Sequence, residues 1–211
     1  MPTASTIVAF AGASLALLFI PGPAVIYILN RSVADGRRVG LAAVAGLEIG
    51  NLVHVLAAAL GLSAVLAASA TAFTVVKWIG VGYLLFVGVS TLLTKAGSLK
   101  ADQPSISVKR AFVQGIVINT LNPKVALFFL SFLPQFINVH AAHPGLQALI
   151  LGLVFIGLAC ITDPLYAIAA STLRGVLLRG TAYPFVQRYV AGTVFLALGL
   201  VAATASPSHQ K

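Results

Sequence analysis

The sequence predicts an all-α integral membrane protein whose six transmembrane helices form two inverted three-helix repeats. Of its 211 residues, 59% are apolar and only 8% are charged, whereas a soluble domain carries about 25% charged residues. Six apolar segments are long enough to cross a bilayer core of about 30 Å, which requires about 20 residues per helix. Two of these segments are interrupted by proline at corresponding positions. These three observations define the predicted fold class.

The six segments read as helices because backbone polar groups in lipid must be satisfied within the segment itself. They cover residues 5–29, 39–66, 72–94, 111–137, 145–172 and 184–205. We therefore expect one membrane transport domain over residues 1–211, with repeat 1 at about 1–98 and repeat 2 at about 108–211. The longest connection is "KAGSLKADQPSISVKR" (95–110).

The distribution of Lys and Arg predicts the orientation, because these residues accumulate in cytoplasmic loops. Ten of them follow helices 1, 3 and 5: Arg31, Arg37, Arg38, Lys95, Lys100, Lys109, Arg110, Arg174, Arg179 and Arg188. Only Lys77 and Lys211 fall on the opposite side. Loops 1, 3 and 5 are predicted to be cytoplasmic, and both termini to lie outside.

Helices 1 and 4 carry matching breaks, "PGP" (21–23) and "NPK" (122–124). Pro21 and Pro23 are expected to free the carbonyls of Leu17 and Phe19, and Gly22 lets another group approach the backbone closely. In helix 4, Asn122 is a favoured N-cap and Pro123 suits the first helical position. Inverted repeats with broken helices are typical of secondary transporters, with the substrate site near the bilayer midplane.

Lys124 follows the second break, roughly 20 Å into the membrane from Arg110 at 1.5 Å per residue. An unpaired Lys at the bilayer centre costs about 2.5–3.5 kcal/mol on insertion scales. A cation and a helix start together favour an anion. We therefore expect the two helix starts and Lys124 to bind a substrate carboxylate.

Helix 2 carries a polar stripe of Glu48, Asn51 and His54, beside a strip of small residues suited to close helix packing. Asp163 in helix 5 is the other intramembrane acid; Pro164 predicts a kink there, and Tyr166 lies one turn further on. Intramembrane acids are usually functional, so these four polar residues, Glu48, Asn51, His54 and Asp163, are candidates for proton coupling. The alternatives are structural hydrogen bonds in helix 2 and an ion pair between Asp163 and Lys124.

Other classes of function find little support. The basic residues lie in short clusters between apolar runs rather than among stacking aromatics, which argues against nucleic-acid binding. No HExxH, GxSxG or P-loop pattern occurs, so we expect neither an enzyme nor a cofactor, and no metal site. Cys160, the single cysteine, is expected to be a small buried hydrophobe. A passive channel stays open as an alternative.

Several motifs together resemble one family of transporters. They are "PGP" (21–23), "GRRVGLAAVAG" (36–46), "GVGYLLFVG" (80–88), "AFVQGIVINTLNPKVALFFLSFLPQF" (111–136), Asp163 and "AGTVFLALGL" (191–200). This set resembles the LysE/RhtB family of amino-acid exporters. The family often has an acid where this chain has Asn51; the acid here is Glu48, three residues earlier.

The resemblance implies a secondary active exporter of amino acids or close derivatives in the cytoplasmic (inner) membrane, predicted here to be proton-coupled. A metal-ion or other small-solute exporter of the same architecture is the alternative, and the oligomeric state, including a homo-oligomer, stays open. Eight residues are the candidate substrate-binding set: Pro21, Gly22, Pro23, Asn119, Asn122, Pro123, Lys124 and Tyr166.

Overall fold

The fold is taken from a computed structural model, which describes residues 1–68, 70–93, 104–138 and 141–175 and the single positions 189, 193, 196, 197 and 200. The predicted sixth helix (184–205) lies outside the described residues except for those single positions. Lys95, Lys100, Arg179, Arg188 and Lys211 also lie outside them.

All secondary structure in the four described ranges is helical. The helices are α1 (Ala4–Phe19), α2 (Pro23–Asp35), α3 (Arg37–Ala68), α4 (Ala70–Leu93), α5 (Val108–Thr120), α6 (Pro123–Ser131) and α7 (Pro144–Thr172). A short 3₁₀ helix, Leu133–Phe136, follows α6. The predicted segments therefore correspond to α1–α2, α3, α4, α5–α6 and α7.

The described helices are those of an all-α membrane protein. Arg37–Gly61 and Pro144–Thr172 are each long and apolar enough to span a bilayer, and each of the bent pairs α1–α2 and α5–α6 also passes as one broken span. Large apolar side chains such as Leu60, Ile161 and Leu165 lie exposed on the outer surface. A surface of this kind suits lipid rather than water.

Both predicted breaks are confirmed. α1 ends at Phe19 and α2 resumes at Pro23 with a 51° bend. α5 ends at Thr120 and α6 resumes at Pro123 with a 41° bend. The side chain of Asn122 caps α6 by accepting a hydrogen bond from the Lys124 backbone N–H at 3.1 Å, as its N-cap role predicts.

α3 lies at the centre of the described helices and packs against α2, α5 and α7. Its approach to α5 depends on glycine: a Cβ on Gly46 would collide with the backbone carbonyl of Phe112, and a Cβ on Gly50 would lie 2.7 Å from the Cβ of Asn119. Gly115 of α5 faces the carbonyl of Ala43 in the same way. The predicted small-residue strip is confirmed as a close helix–helix contact.

The connection after helix 1 is shorter than predicted. α2 continues to Asp35, and a single residue, Gly36, turns the chain into α3 with a positive φ of 85° that glycine adopts readily. Arg31 is therefore a helical residue and not a loop residue. It is buried and forms an ion pair with Asp35 at 3.0 Å, one helical turn away.

One prediction for helix 5, that of a buried Cys160, is wrong, and the kink predicted at Pro164 stays a prediction. α7 runs through Pro164 from Pro144 to Thr172, so the proline does not end the helix as the two other breaks do. A single missing N–H can be tolerated when neighbouring helices hold the segment in place. Cys160 is exposed and not buried, because it lies on the outer face of α7, where lipid accepts a small apolar side chain.

Candidate substrate site

Lys124 joins the two helix breaks. Its side chain is buried, and its Nζ donates a hydrogen bond of 2.7 Å to the carbonyl of Ile20 at the end of α1. The side chain crosses directly over Gly22, where a Cβ would lie 2.7 Å from the Lys124 Cδ. Gly22 thus admits a close approach, as predicted, and the approaching group is Lys124.

The carbonyls freed at the first break differ in part from the prediction. The Leu17 carbonyl accepts from the Ile20 N–H at 3.1 Å, so it is not free. The Phe19 carbonyl is released as predicted and accepts from the Tyr166 hydroxyl at 3.3 Å. The carbonyl of Ile20 is released as well, because the helix stops altogether between Phe19 and Pro23. α7 and α6 therefore each supply one donor to the end of α1.

A chain of side-chain amides connects α3 to the second break. Asn119 Nδ2 donates to the Leu47 carbonyl and to Asn51 Oδ1, both at 2.7 Å. Asn122 Nδ2 donates to Asn119 Oδ1 at 3.1 Å. Asn51 Nδ2 in turn donates to Glu48 Oε2 at 2.9 Å. The side-chain amides thus donate in one direction, from Asn122 to Asn119, from Asn119 to Asn51 and from Asn51 to the Glu48 carboxylate.

His54 of α3 also contacts Asn119, through its imidazole ring. Its Nε2 lies 2.7 Å from the Asn119 carbonyl. Since a carbonyl can only accept, Nε2 carries the proton and donates it to the C-terminal end of α5. The geometry gives His54 the structural hydrogen bond that the sequence allowed as an alternative to proton coupling.

The two intramembrane acids, Glu48 of α3 and Asp163 of α7, lie within hydrogen-bonding reach of each other. Asp163 also accepts from the Thr162 hydroxyl at 3.4 Å. Glu48 Oε1 is buried without a donor in the described part of the chain. A hydrogen bond between these two carboxyl groups requires a proton on one of them, because two ionised carboxylates have no donor.

Asp163 also lies within electrostatic range of the Lys124 ammonium. However, among the described side chains Lys124 forms no direct ion pair with either acid, and its Nζ donates instead to the carbonyl of Ile20. The sequence alternative of a structural Lys124–Asp163 ion pair is therefore not present in this structure. The ammonium is left next to a neutral carbonyl.

The structure brings all the predicted site residues to one region between α1–α2, α3, α5–α6 and α7. Pro21, Gly22 and Pro23 form the first break and Asn122, Pro123 and Lys124 the second. Sequence reasoning missed Ile20, the partner of Lys124, because counting four residues back from each proline identifies only Leu17 and Phe19. It also missed Thr162, which no pattern distinguishes from any other helical threonine. Within the described ranges, no three His, Cys, Asp or Glu side chains gather as a metal site.

Comparison with known proteins relates this site to a transporter family. The chain matches the LysE type translocator family over residues 15–206. An uncharacterized membrane protein of Vibrio cholerae serotype O1 is 31% identical over 187 residues, which cover 88% of this chain and 90% of the relative. A leucine efflux protein of Salmonella typhimurium is 31% identical over 138 residues, which cover 64% of this chain and 65% of that protein. No solved structure matches the chain.

Proposed function

This chain belongs to the LysE type translocator family, and from that premise we propose that it is a secondary active exporter of amino acids or close derivatives. The family consists of translocators, so the chain is a membrane transporter and not an enzyme. The relatives named as leucine efflux proteins support an amino-acid substrate. We propose that the protein lies in the cytoplasmic (inner) membrane, as its resemblance to the family implies.

The observation that carries the proposal is the position of the Lys124 ammonium. It is buried between two helix breaks, and its hydrogen bond is to a carbonyl and not to a carboxylate. A buried cation of this kind is costly unless an anion compensates it. A substrate carboxylate meets that requirement, and Lys124 has two further N–H donors with which to bind it.

The two helix starts add donors for the same carboxylate. Gly22, the N-cap of α2, has no side chain, so the first N–H groups of α2 are not satisfied by a capping side chain. α6 begins at Pro123, and Lys124 follows directly. The positive ends of both helix dipoles favour an anion between them. We expect a neutral amino acid to be preferred over a basic one, because a cationic side chain would lie near the Lys124 ammonium.

The paired acids supply the proposed coupling to protons. Glu48 and Asp163 are close enough to share one proton, and the Asn51–Asn119–Asn122 amides link Glu48 to the start of α6. Loss or gain of that proton would change the charge facing Lys124. When the substrate carboxylate leaves, loss of this proton would give the acid pair a negative charge that compensates the Lys124 ammonium in its place.

The test is substrate counterflow in proteoliposomes with a panel of labelled amino acids. Leucine is the first candidate. We expect Lys124→Met to abolish counterflow of whichever amino acid the native protein exchanges, because the substrate carboxylate loses its cation. Lys109→Met is the matched control, since Lys109 is exposed at the start of α5, and it should exchange normally. Both variants must elute as folded protein in detergent.

A competition experiment separates substrate binding from a structural role of Lys124. The amide of the transported amino acid lacks the carboxylate and should compete at least about tenfold more weakly than the parent amino acid. Equal competition by the amide would contradict the proposal, because Lys124 would then serve only the carbonyl of Ile20.

A further inference from the structure

A cavity of about 340 Å³ lies at the end of the molecule where α1 begins. Polar and apolar residues line it in nearly equal numbers, and the polar ones include Thr3, Thr6, Gln135, Asn138 and Gln147. Its volume falls within the range of about 300–1,000 Å³ that is usual for small-molecule pockets. Gln147 holds the wall in place by accepting from the Asn138 N–H at 3.1 Å and donating to the Asn138 carbonyl at 3.3 Å.

A ladder of aromatic rings leads from this cavity toward Lys124. Phe136, in the 3₁₀ helix, lines the cavity, and Phe132, Phe128 and Lys124 precede it in the sequence at intervals of four residues. Lys124 and Phe128 both belong to α6, and side chains four residues apart lie on one face of an α-helix. The ring centroids of Phe128 and Phe132, and those of Phe132 and Phe136, are each 5.4 Å apart.

Phe10 of α1 closes the ladder from the opposite side. Its ring centroid lies 5.4 Å from that of Phe136 and 5.7 Å from that of Phe128. Phe10 and Phe128 are both completely buried. The same apolar cluster extends to Ile20, whose carbonyl binds Lys124. One apolar cluster therefore includes both Phe136 in the cavity lining and Ile20 beside the Lys124 ammonium.

We propose that this cavity is the release vestibule of the export pathway and that Phe10, Phe128 and Phe136 form the gate between the vestibule and Lys124. The proposal rests on the proposed function, which gives Lys124 the substrate. Hydrophobic constrictions block polar solutes by excluding water. The structure is then closed toward the vestibule, and the amino acid leaves when the rings separate.

A buried hydroxyl within the gate supports this assignment over a purely structural core. Ser131 Oγ is fully buried beside the aromatic ladder and has no hydrogen-bond partner in the described part of the chain. Buried hydroxyl groups are usually paired. Water that entered an opened pathway would supply the missing partner. Ser14, one turn beyond Phe10, satisfies its own hydroxyl by donating to the Phe10 carbonyl at 2.8 Å.

The gate residues belong to the two half-helices that Lys124 connects and to the 3₁₀ helix that follows. Phe10 is on α1, and Phe128 and Phe136 follow the start of α6. α1 and α6 meet at Lys124, which donates to the end of α1 from the start of α6. A carboxylate that draws Lys124 away from Ile20 would release the connection between the two half-helices that carry the rings.

Cysteine accessibility tests the gate without any transport measurement. In a Cys160→Ser background, Thr6→Cys places a thiol in the vestibule and Ser14→Cys places one beyond Phe10. A membrane-impermeant methanethiosulfonate reagent is added to vesicles of both orientations, and the vestibule side is the side from which Thr6→Cys reacts. We expect Ser14→Cys to react at least tenfold more slowly than Thr6→Cys from that side.

Removal of a gate ring should then expose the inner thiol. Phe128→Ala is expected to raise the reaction rate of Ser14→Cys at least tenfold. Leu130→Ala, which shortens an exposed side chain of α6, is the matched control and should leave the rate unchanged. If Phe128→Ala does not fold, Phe10→Ala or Phe128→Leu takes its place.

Two results would overturn the gate: a Ser14→Cys thiol that reacts as fast as Thr6→Cys with all rings present, or a rate that no gate substitution changes. Labelling requires no substrate, so failure of the gate is distinguishable from failure of carboxylate binding. Two results together would support the substrate site and reject the gate: Lys124→Met loses counterflow, and the gate substitutions leave the labelling rate of Ser14→Cys unchanged.

Discussion

Lys124 shows how one residue serves two breaks at once. It extends from the start of α6 across Gly22 to the carbonyl of Ile20. Its charge compensates the negative end of the α1 dipole while it remains close to the positive ends of α2 and α6. A carboxylate bound between those helix starts would compete with the Ile20 carbonyl for the same ammonium. We propose that these fixed polar groups determine where the substrate carboxylate binds.

Gly22→Ala tests the path of the Lys124 side chain. The new Cβ would lie 2.7 Å from the Lys124 Cδ, which is too close for both groups to keep their places. We expect the ammonium to shift away from Ile20 and substrate affinity to fall by about tenfold, or about 1.4 kcal/mol. Gly12→Ala on α1, where a Cβ meets nothing within 4 Å, should bind as the native protein does. Unchanged affinity in Gly22→Ala would contradict the proposed position of Lys124.

The acids Glu48 and Asp163 should be separable from substrate binding. We expect Glu48→Gln or Asp163→Asn, and most clearly the double variant, to lose accumulation driven by a pH gradient while retaining counterflow, because an amide cannot carry the coupling proton. The measurement compares gradient-driven uptake with exchange in the same proteoliposomes. Asp102→Asn, outside the predicted membrane segments, is the control. Full gradient-driven accumulation in both single variants would show that neither acid couples protons.

At the level of the elements, the breaks were predictable and the contacts across them were not. Proline and an Asn-Pro pair act on the local backbone, so Pro23 and Asn122 indicate where α2 and α6 begin. The partner of Lys124 depends on how α1 and α6 pack, and no local pattern contains that information. The same holds for Glu48 and Asp163, which are 115 positions apart in the chain and meet only because α3 packs against α7.

The turn at Gly36 and the helix through Pro164 show two ways in which local sequence patterns fail to place helix ends: one helix ends later than its apolar run, and another continues through a proline. Arg31 lies beyond the apolar run that defined helix 1, yet it is a residue of α2. Its guanidinium forms an ion pair with Asp35 of the same helix and donates a hydrogen bond to the carbonyl of Pro104. Pro164 lies in a helix held by α2 and α3 on its sides. Tertiary contacts thus extend one helix past its predicted end and preserve another across a proline.

The α3–α5 contact gives a prediction for stability. Gly46 leaves no room for a Cβ against the Phe112 carbonyl, so we expect Gly46→Ala to force the two helices apart. Overpacking typically costs about 1–3 kcal/mol, and a collision with backbone belongs at the upper end of that range. Gly157→Ala on α7, where a Cβ meets nothing within 4 Å, is the control. The measurement is the apparent melting temperature in detergent; equal values for both variants would contradict the close contact.

At the scale of the whole molecule, the described residues separate into two ends. Residues at the start of α1 share a cavity with Gln135, Asn138 and Gln147. At the other end, Asp35 accepts from the Ile106 N–H at 3.3 Å, beside Arg31. The first end is poor in Lys and Arg, and the second carries Arg37, Arg38, Lys109 and Arg110. This grouping agrees with the loop assignment predicted from the sequence.

We propose that the two halves of the chain are inverted repeats, about 1–98 and about 108–211. The pairs α1–α2 and α5–α6 support this, since each is a span broken before a proline and each is bent, by 51° and 41°. The second half-helices of both pairs start close to Lys124: α6 begins one residue before it, and the Lys124 side chain lies against Gly22, directly before α2. Opposed half-helices of this kind place one polar site between two symmetric halves, as alternating access requires.

The orientation of the molecule follows from the charge asymmetry of its two ends and is directly testable. Positive charge favours the cytoplasmic side, so the end with Lys109 and Arg174 should face the cytoplasm and the end with Ser5 and His143 should face outward. Single cysteines at these four exposed positions, in a Cys160→Ser background, are treated with an impermeant thiol reagent. We expect the Ser5→Cys and His143→Cys variants to react in intact cells, and the Lys109→Cys and Arg174→Cys variants to react only after permeabilisation. The reverse pattern would place both the N-terminus and the vestibule in the cytoplasm, and export through Phe10 and Phe136 would then have to run in the opposite direction.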